Sequence, residues 1–404
     1  MSVDTGQPPA LRELLRSGPV RVLALIGLAT AVAFFGMVPF LTLYLADATR
    51  LSNAAIGAAV GSIALVSALG AFFSGSLADR WGAVTMLRVG LGLYVVVCGA
   101  LLFTDAVYLV LPLITCLGLA LMLCTPATKK LLSLAAPDES SAIFRVRYVT
   151  QSLGAILGPL VGAGAYAIDR RAVFICAGGL FASCLLIVHL SRSSLRSLEE
   201  RRTQDASSRR AWGPALRDRK LYLAVGAGIS IALVFSQFES IFPLYLKGEH
   251  GSAAAAYFSG LFAYHAVLGI VLQVPAQWLA RRFGQAVQVA VGCAGFSGAF
   301  VLFGASGGAL LLLVAGVTVW TLGEAILMPM PDMVTHRIAP DELKGTYFGF
   351  AELRYAGFFV GPVVGGALLE MEPAVYFTVL AVLSFLALPF LAAKSLRIQP
   401  KAAS

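Results

Sequence analysis

Apolar residues in this chain do not recur at the spacing of a one-sided helix, nor alternate as in a half-buried strand. They run on in long blocks separated by short polar turns. Twelve such blocks can be marked, at 20–46, 54–77, 86–103, 108–131, 143–168, 173–190, 221–246, 254–279, 287–303, 309–330, 347–369 and 374–393. Each is close to the roughly 20 residues that a helix needs to cross a hydrocarbon core of about 30 Å. Most of the blocks carry almost no charge, which argues against one-sided surface helices of a soluble domain. The pattern predicts an all-α membrane protein of twelve transmembrane helices.

The blocks are duplicated. The stretch TPATKKLLSLAAPDESSAIFRVRYVTQSLGAILGPLVG, from Thr125 to Gly162, recurs about two hundred residues later as MPMPDMVTHRIAPDELKGTYFGFAELRYAGFFVGPVVG. Without a gap, Pro126 lies over Pro329, Ala136-Pro137-Asp138-Glu139 over Ala339-Pro340-Asp341-Glu342, Gly154 over Gly357, and Gly158-Pro159 over Gly361-Pro362. An internal repeat in so apolar a chain implies two pseudo-symmetric six-helix bundles with a path between them, the build of a transporter. The expected organisation is a segment 1–19, a first bundle 20–190, a linker 191–220, a second bundle 221–393 and a tail 394–404.

Composition and charge sharpen this. With 58% hydrophobic and 13% charged residues among 404, the chain has more apolar surface than one soluble domain could bury. Lys and Arg crowd the beginning (Arg12, Arg16, Arg21), the linker (among others Arg192, Arg196, Arg209, Arg219 and Lys220) and the tail (Lys394, Arg397, Lys401). The loops on the other side hold only Arg50, Arg170, Arg171 and Lys247. The positive-inside rule then places both termini and the linker in the cytoplasm of a bacterial-type inner membrane, and the net charge of +9 is a topology signal. No soluble basic domain for nucleic acid is present. The linker is Arg- and Ser-rich and reads as a solvated connector along the inner leaflet, in contact with membrane lipids. The first apolar run is too long for a cleaved leader. The six cysteines all fall inside blocks without metal-ligand spacing and read as small packing residues, so neither a metal nor a cofactor is expected.

After the second block comes Gly75-Ser-Leu-Ala-Asp79-Arg80-Trp-Gly82, and a degenerate copy, Gln277-Trp-Leu-Ala-Arg-Arg-Phe-Gly284, stands at the equivalent place in the second half. This resembles the signature loop of the major facilitator superfamily. The resemblance covers the whole membrane region. It implies that Gly75, Asp79, Arg80 and Gly82 form a gate, with Asp79 facing the positive N-terminus of the eleventh helix near Thr346 and Tyr347. Ala83-Val84 stands where the family usually has basic residues. A second motif, Gly154-x-x-x-Gly158-Pro159-x-x-Gly162, repeats as Gly357-x-x-x-Gly361-Pro362-x-x-Gly365. Glycines four apart let helix backbones approach closely, and proline bends the helix. In the superfamily the first copy resembles the motif of drug and metabolite exporters that exchange substrate for protons. The fourth-helix arginine common in such exporters is absent here.

Ionisable residues inside a bilayer point to function. They are Glu239, His265, Glu324, Glu352 and Arg354. The repeat places Leu121 under Glu324, Val149 under Glu352, Gln151 under Arg354, and roughly Val38 under Glu239, so the shared scaffold does not need these charges. At a rise of about 1.5 Å per residue, Glu324 and Arg354 sit at similar depths, roughly 15 and 12 Å from the cytoplasmic ends of their helices. They are expected to pair, whereas Glu352, two residues from Arg354, points elsewhere. A carboxylate moving between an apolar setting and a cationic partner can load and release a proton, so the expected proton-coupling residues are Glu324, Glu239, Arg354 and Glu352. The resemblance implies that helices 1, 4, 7 and 10 line the cavity. Candidate substrate contacts there and nearby are Phe34, Phe35, Arg147, Gln237, Phe238, His265, Trp320 and Tyr355, a lining suited to a partly apolar, hydrogen-bonding solute.

No nucleophile constellation or phosphate-cradling loop is present in soluble surroundings, so an enzyme is not expected. The expectation is a monomeric secondary transporter exporting a small organic molecule in exchange for protons. A proton-coupled importer of a sugar or organic acid and a lipid or lysophospholipid flippase share the same fold and are the alternatives.

Overall fold

The computed structural model describes residues 17–135, 140–200, 216–340 and 343–392, and among these there is helix and no strand. In order, the elements are α1 (Gly18–Ala48), α2 (Asn53–Trp81), α3 (Ala83–Leu101), α4 (Val107–Ala135), α5 (Ser140–Ile168) and α6 (Ala172–Leu190). A short α7 (Arg192–Glu200) begins the linker. Then come α8 (Arg219–Ser240), α9 (Phe242–His250), α10 (Ala254–Arg282), α11 (Gln285–Ser306), α12 (Leu310–Leu327) and α13 (Met330–Ile338). The chain continues with α14 (Lys344–Ala351), a 3-10 turn (Glu352–Tyr355), α15 (Ala356–Met371), α16 (Pro373–Leu383) and α17 (Leu388–Leu391).

Ten helical stretches among the described residues are long and apolar enough to cross a membrane. One of them, Arg219–Leu272, holds 54 residues, takes in α8, α9 and much of α10, and covers two of the expected blocks. The block expected at 347–369 is cut by the 3-10 turn into helices of 8 and 16 residues, each too short to qualify alone. The ten stretches thus cover eleven of the twelve expected blocks, and the remaining one is helical with a break among the described residues. Large apolar side chains stand outward along the helices, among them Val96, Ile175, Val301, Leu311 and Val382. Such a surface is compatible with hydrocarbon and not with water, and the chain is a multi-pass membrane protein.

Helix ends follow local chemistry. Gly82, between α2 and α3, has φ +79°, a conformation costly for any residue with a Cβ. Asp218 caps α8, accepting from the Lys220 N–H at 2.8 Å, and its other oxygen accepts from the Tyr347 hydroxyl at 2.8 Å. The segment Gly75–Trp81, expected as a loop, is instead the last two turns of α2, and the chain reversal is confined to Gly82. Likewise α10 runs on through Arg282. An apolar helix that continues to Arg80 needs no loop residues until the glycine that stops it.

Contacts divide the chain into two compact units, Met1–Met37 with Phe73–Ser207, and Val38–Phe72 with Ser208–Ser404. In the first unit α5 lies backbone-to-backbone on α1: a Cβ at Gly154 would collide with Ala31, and one at Gly158 would stand 2.8 Å from the Gly36 nitrogen. Gly162 and Pro159 are buried on the same helix. Arg170 and Arg171 both pair with Asp105, the former at 3.3 Å. The second unit repeats the close approach, α15 lying on α8 with Gly357 against the Ile229 carbonyl and Gly361 against Ser236 and Leu233.

The second unit also takes in the end of α1 and most of α2, which the duplication groups with the first half. Small residues explain this. A Cβ at Gly57 would collide with the Pro362 carbonyl, one at Gly61 would stand 3.0 Å from Phe359, and one at Gly366 would collide with Asn53. Glu370 accepts from the Ala54 N–H at 3.0 Å at the start of α2, and Lys247 pairs with Asp47.

Candidate functional site

Within the second unit, helices α8, α10 and α12 bring together Glu239, His265 and Glu324. The sequence pairs Glu324 with Arg354; the structure gives each a different partner. Glu324 Oε2 lies 3.1 Å from His265 Nε2 and has no other hydrogen-bond partner among the described residues. Arg354 Nη1 donates to Asp332 Oδ1 at 2.6 Å. Depth alone suggested the first pairing, but Met328 and Pro329 separate α12 from α13, and Asp332 in the first turn of α13 takes the guanidinium.

Glu352 was expected to point away from Arg354. The 3-10 turn tightens the chain there, and Arg354 Nη2 comes within 3.8 Å of Glu352 Oε1. The Arg354 side chain crosses α8 at Gly228, where an added Cβ would stand 2.8 Å from its own Cβ. Its guanidinium carbon is 5.7 Å from the centre of the Tyr355 ring.

The hydrogen-bond directions around His265 are set by a threonine. Thr321, in α12, donates its hydroxyl hydrogen to the Val317 carbonyl at 2.6 Å. With the hydroxyl hydrogen on that carbonyl, the Thr321 oxygen, 2.9 Å from His265 Nδ1, accepts from a ring hydrogen on Nδ1. Nε2 is left facing Glu324. In that tautomer two acceptors face each other at 3.1 Å, which makes the gap a place for one shared proton. It sits either on a carboxyl group donating to a neutral ring, or on an imidazolium donating to a carboxylate. The Glu324 side chain keeps 25% of its surface accessible and His265 11%, while Oε2, the oxygen that faces the ring, is itself buried. Glu239, half-buried in α8, is near enough to add its charge to that of Glu324.

Aromatic rings hold the imidazole. Phe238 lies 5.2 Å and Phe262 5.7 Å from it between ring centres, and Trp320 stacks on Phe238 at 5.4 Å. Gln237, Phe238 and Trp320, expected to line a cavity, are 0%, 2% and 0% exposed. They form the packed wall behind His265. The Gln237 amide nitrogen donates to the Leu233 carbonyl at 3.0 Å, and its oxygen fills the space over Gly365. Tyr355 is half-buried against Phe358, 5.5 Å away.

Phe34, Phe35 and Arg147 belong to the first unit. The two rings meet edge-on at 5.9 Å, Phe35 packs against Gly158, and Arg147 is half-buried on α5. Arg80 is exposed at the end of α2, while the Gly75 and Asp79 side-chain positions lie outside the described residues. No cluster of metal-ligating side chains occurs among the described residues. Thr321 and Asp332 escaped the sequence reading because one looks like ordinary helix filler and the other like an interfacial acid. The spacing Thr321-x-x-Glu324, one turn apart on one face, was the available signal.

A duplicated, lipid-exposed helical chain with a partly accessible acid–imidazole pair inside one bundle has the make-up of a membrane transporter rather than an enzyme. The description Major Facilitator Superfamily matches residues 23–356, and the chain belongs to that family. It is 27% identical over 365 residues to YqjV, an MFS-type transporter of Bacillus subtilis (strain 168), covering 88% of each chain. It is 24% identical over 353 residues to the multidrug resistance protein MdtH of Cronobacter sakazakii, covering 85% of each. In fold it is similar to the nucleoside transporter NupG, with a TM-score of 0.76 at 14% identity over 93% of this chain and 98% of that one. The peptide transporter POT gives a TM-score of 0.75 at 16% identity over 97% and 95%.

Proposed function

We propose that this transporter exports a small organic molecule across a bacterial inner membrane in exchange for protons, as a monomer with both termini in the cytoplasm. The observation that carries the reading is the 3.1 Å contact between His265 Nε2 and Glu324 Oε2, a place for one exchangeable proton on a carboxylate that Arg354 does not neutralise. Loading that proton from outside removes the carboxylate charge. Release inside restores it, and substrate competes for the deprotonated form, which yields exchange rather than co-movement. Glu239 supplies a second carboxylate close to the first. The likeness to MdtH, named for multidrug resistance, supports drugs or drug-like metabolites as the substrate class.

Alternation needs surfaces that part and rejoin. The glycine rows at Gly154–Gly158 and Gly357–Gly361 fix helices within bundles, and the seam of Gly57, Gly61 and Gly366 meets without side chains in the way. Asp79 and the Gly82 turn would close the cytoplasmic gate. The test is uptake of a panel of drugs into inverted membrane vesicles carrying the protein. Accumulation of at least one drug, driven by an inside-acid gradient and collapsed by a protonophore, is expected. Movement of a sugar or organic acid in the opposite sense would establish an importer, and movement of a labelled lysophospholipid a flippase.

A further inference from the structure

The start of the central linker is not a solvated tether. Residues Arg192–Glu200 form α7, whose Leu195 is 0% exposed and which packs against α3, α4 and α6. At its end, the Glu199 carboxylate turns onto the first turn of α3. It accepts from the Ala83 N–H at 2.5 Å, and its other oxygen lies 3.5 Å from the Val84 nitrogen. These are among the N–H groups that no residue of α3 can satisfy, at the positive end of a 19-residue helix. Gly82, the preceding residue, offers no side-chain cap, and a Cβ built on it would lie 3.3 Å from Glu199 Oε2. The carboxylate that caps α3 therefore comes from more than a hundred residues away.

We infer that Glu199 is the positioning residue of the α2–α3 turn, so that the start of the linker is a working part of the gate-bearing turn. The reversal at Gly82 has a positive φ and no local cap, and Ala83 and Val84 beside it are buried at 0% and 1%. Without an acceptor at this point, Ala83 and Val84 would keep unpaired N–H groups in a buried turn, which the chain can avoid only by moving it. One turn further along α3, Arg88 Nη2 meets His189 Nδ1 at the end of α6 at 3.3 Å, so the same corner is tied twice. The inference stands independently of what the protein transports.

The experiment is hydrogen exchange on the full-length protein in detergent, followed by mass spectrometry of the peptide covering residues 80–88, with timed trypsin cleavage after Arg80, Arg192 and Arg196. Loss of an N-cap acceptor corresponds to roughly 2- to 30-fold in local opening. Glu199→Ala should accelerate exchange in the first turn of α3 by that factor and speed cleavage after Arg80, with exchange in α10 and α12 unchanged. Glu199→Gln keeps an acceptor oxygen and should recover most of the protection, which a merely space-filling role would not distinguish from alanine. If Glu199→Ala left exchange at 83–86 and cleavage after Arg80 as in the wild type, or if alanine and glutamine behaved alike, the assignment would be overturned.

Discussion

Replacing Thr321 by valine isolates the hydrogen-bond logic of the candidate proton site. Valine keeps the branched shape, so packing around the buried position, 1% exposed, changes little. What disappears is the acceptor for His265 Nδ1. A buried donor left unpaired costs about 1–3 kcal/mol, whereas an ordinary hydrogen bond contributes about 0.5–1.5 kcal/mol net, so the penalty of the orphaned N–H is the larger effect. The ring can escape it by moving its hydrogen to Nε2. That tautomer donates to Glu324 and holds the carboxylate without the shared proton. A bias of 1–3 kcal/mol is about 5- to 150-fold in the balance between the two arrangements. Thr321→Val should therefore lower exchange driven by a pH gradient by one to two orders of magnitude while leaving drug binding within a few-fold. Combining it with His265→Asn should add almost nothing, because both changes act through one imidazole. Transport in proteoliposomes under an imposed gradient measures the first, and titration of drug binding to purified protein the second. Wild-type exchange in Thr321→Val, or fully additive losses in the double variant, would refute the tautomer argument.

Other consequences follow from the same geometry. Gly361→Leu and Gly158→Leu would drive side chains into α8 and α1 and should lower the melting temperature, overpacking of this kind costing about 1–3 kcal/mol; normal melting and transport in both would remove the close-packing account. Asp332→Asn should impair folding or transport by depriving the largely buried Arg354 of its partner, and Arg354→Gln should partly rescue it, since removing both charges is milder than stranding the buried one; absence of rescue in a transport assay would disconnect the pair. Gly57→Val should prevent α2 from meeting α15 at Pro362, visible as lost cross-linking between cysteines placed at positions 54 and 370, and an unaltered cross-link would contradict the seam.

Much of the scaffold can be read from the sequence because it rests on one-dimensional signals. Apolar block length sets helix length, and the glycines at 154, 158, 357 and 361 mark where helices meet, as the α5–α1 and α15–α8 contacts bear out. What the sequence hides depends on rotation and on breaks. Glu324 and Arg354 share a depth, but the α12–α13 interruption hands the arginine to Asp332, and the face of α10 carrying His265 turns toward Glu324. Glu352 and Arg354 come together only because the local winding tightens to 3-10. The Gly75–Trp81 motif reads as a loop by resemblance, yet its residues carry no break until Gly82. Glu199 sits in a polar, Arg-rich linker whose composition resembles any solvated connector, so its docking was invisible without the fold.

The proton itself is the most direct test of the central claim. Adding a transported drug to purified protein in weakly buffered detergent solution should release protons that a pH electrode or dye can count. The account predicts substoichiometric to one-for-one release by the wild type, and none by Glu324→Gln, which still binds the drug. Undiminished drug-induced release from Glu324→Gln would contradict the assignment of the exchanged proton to the His265–Glu324 pair.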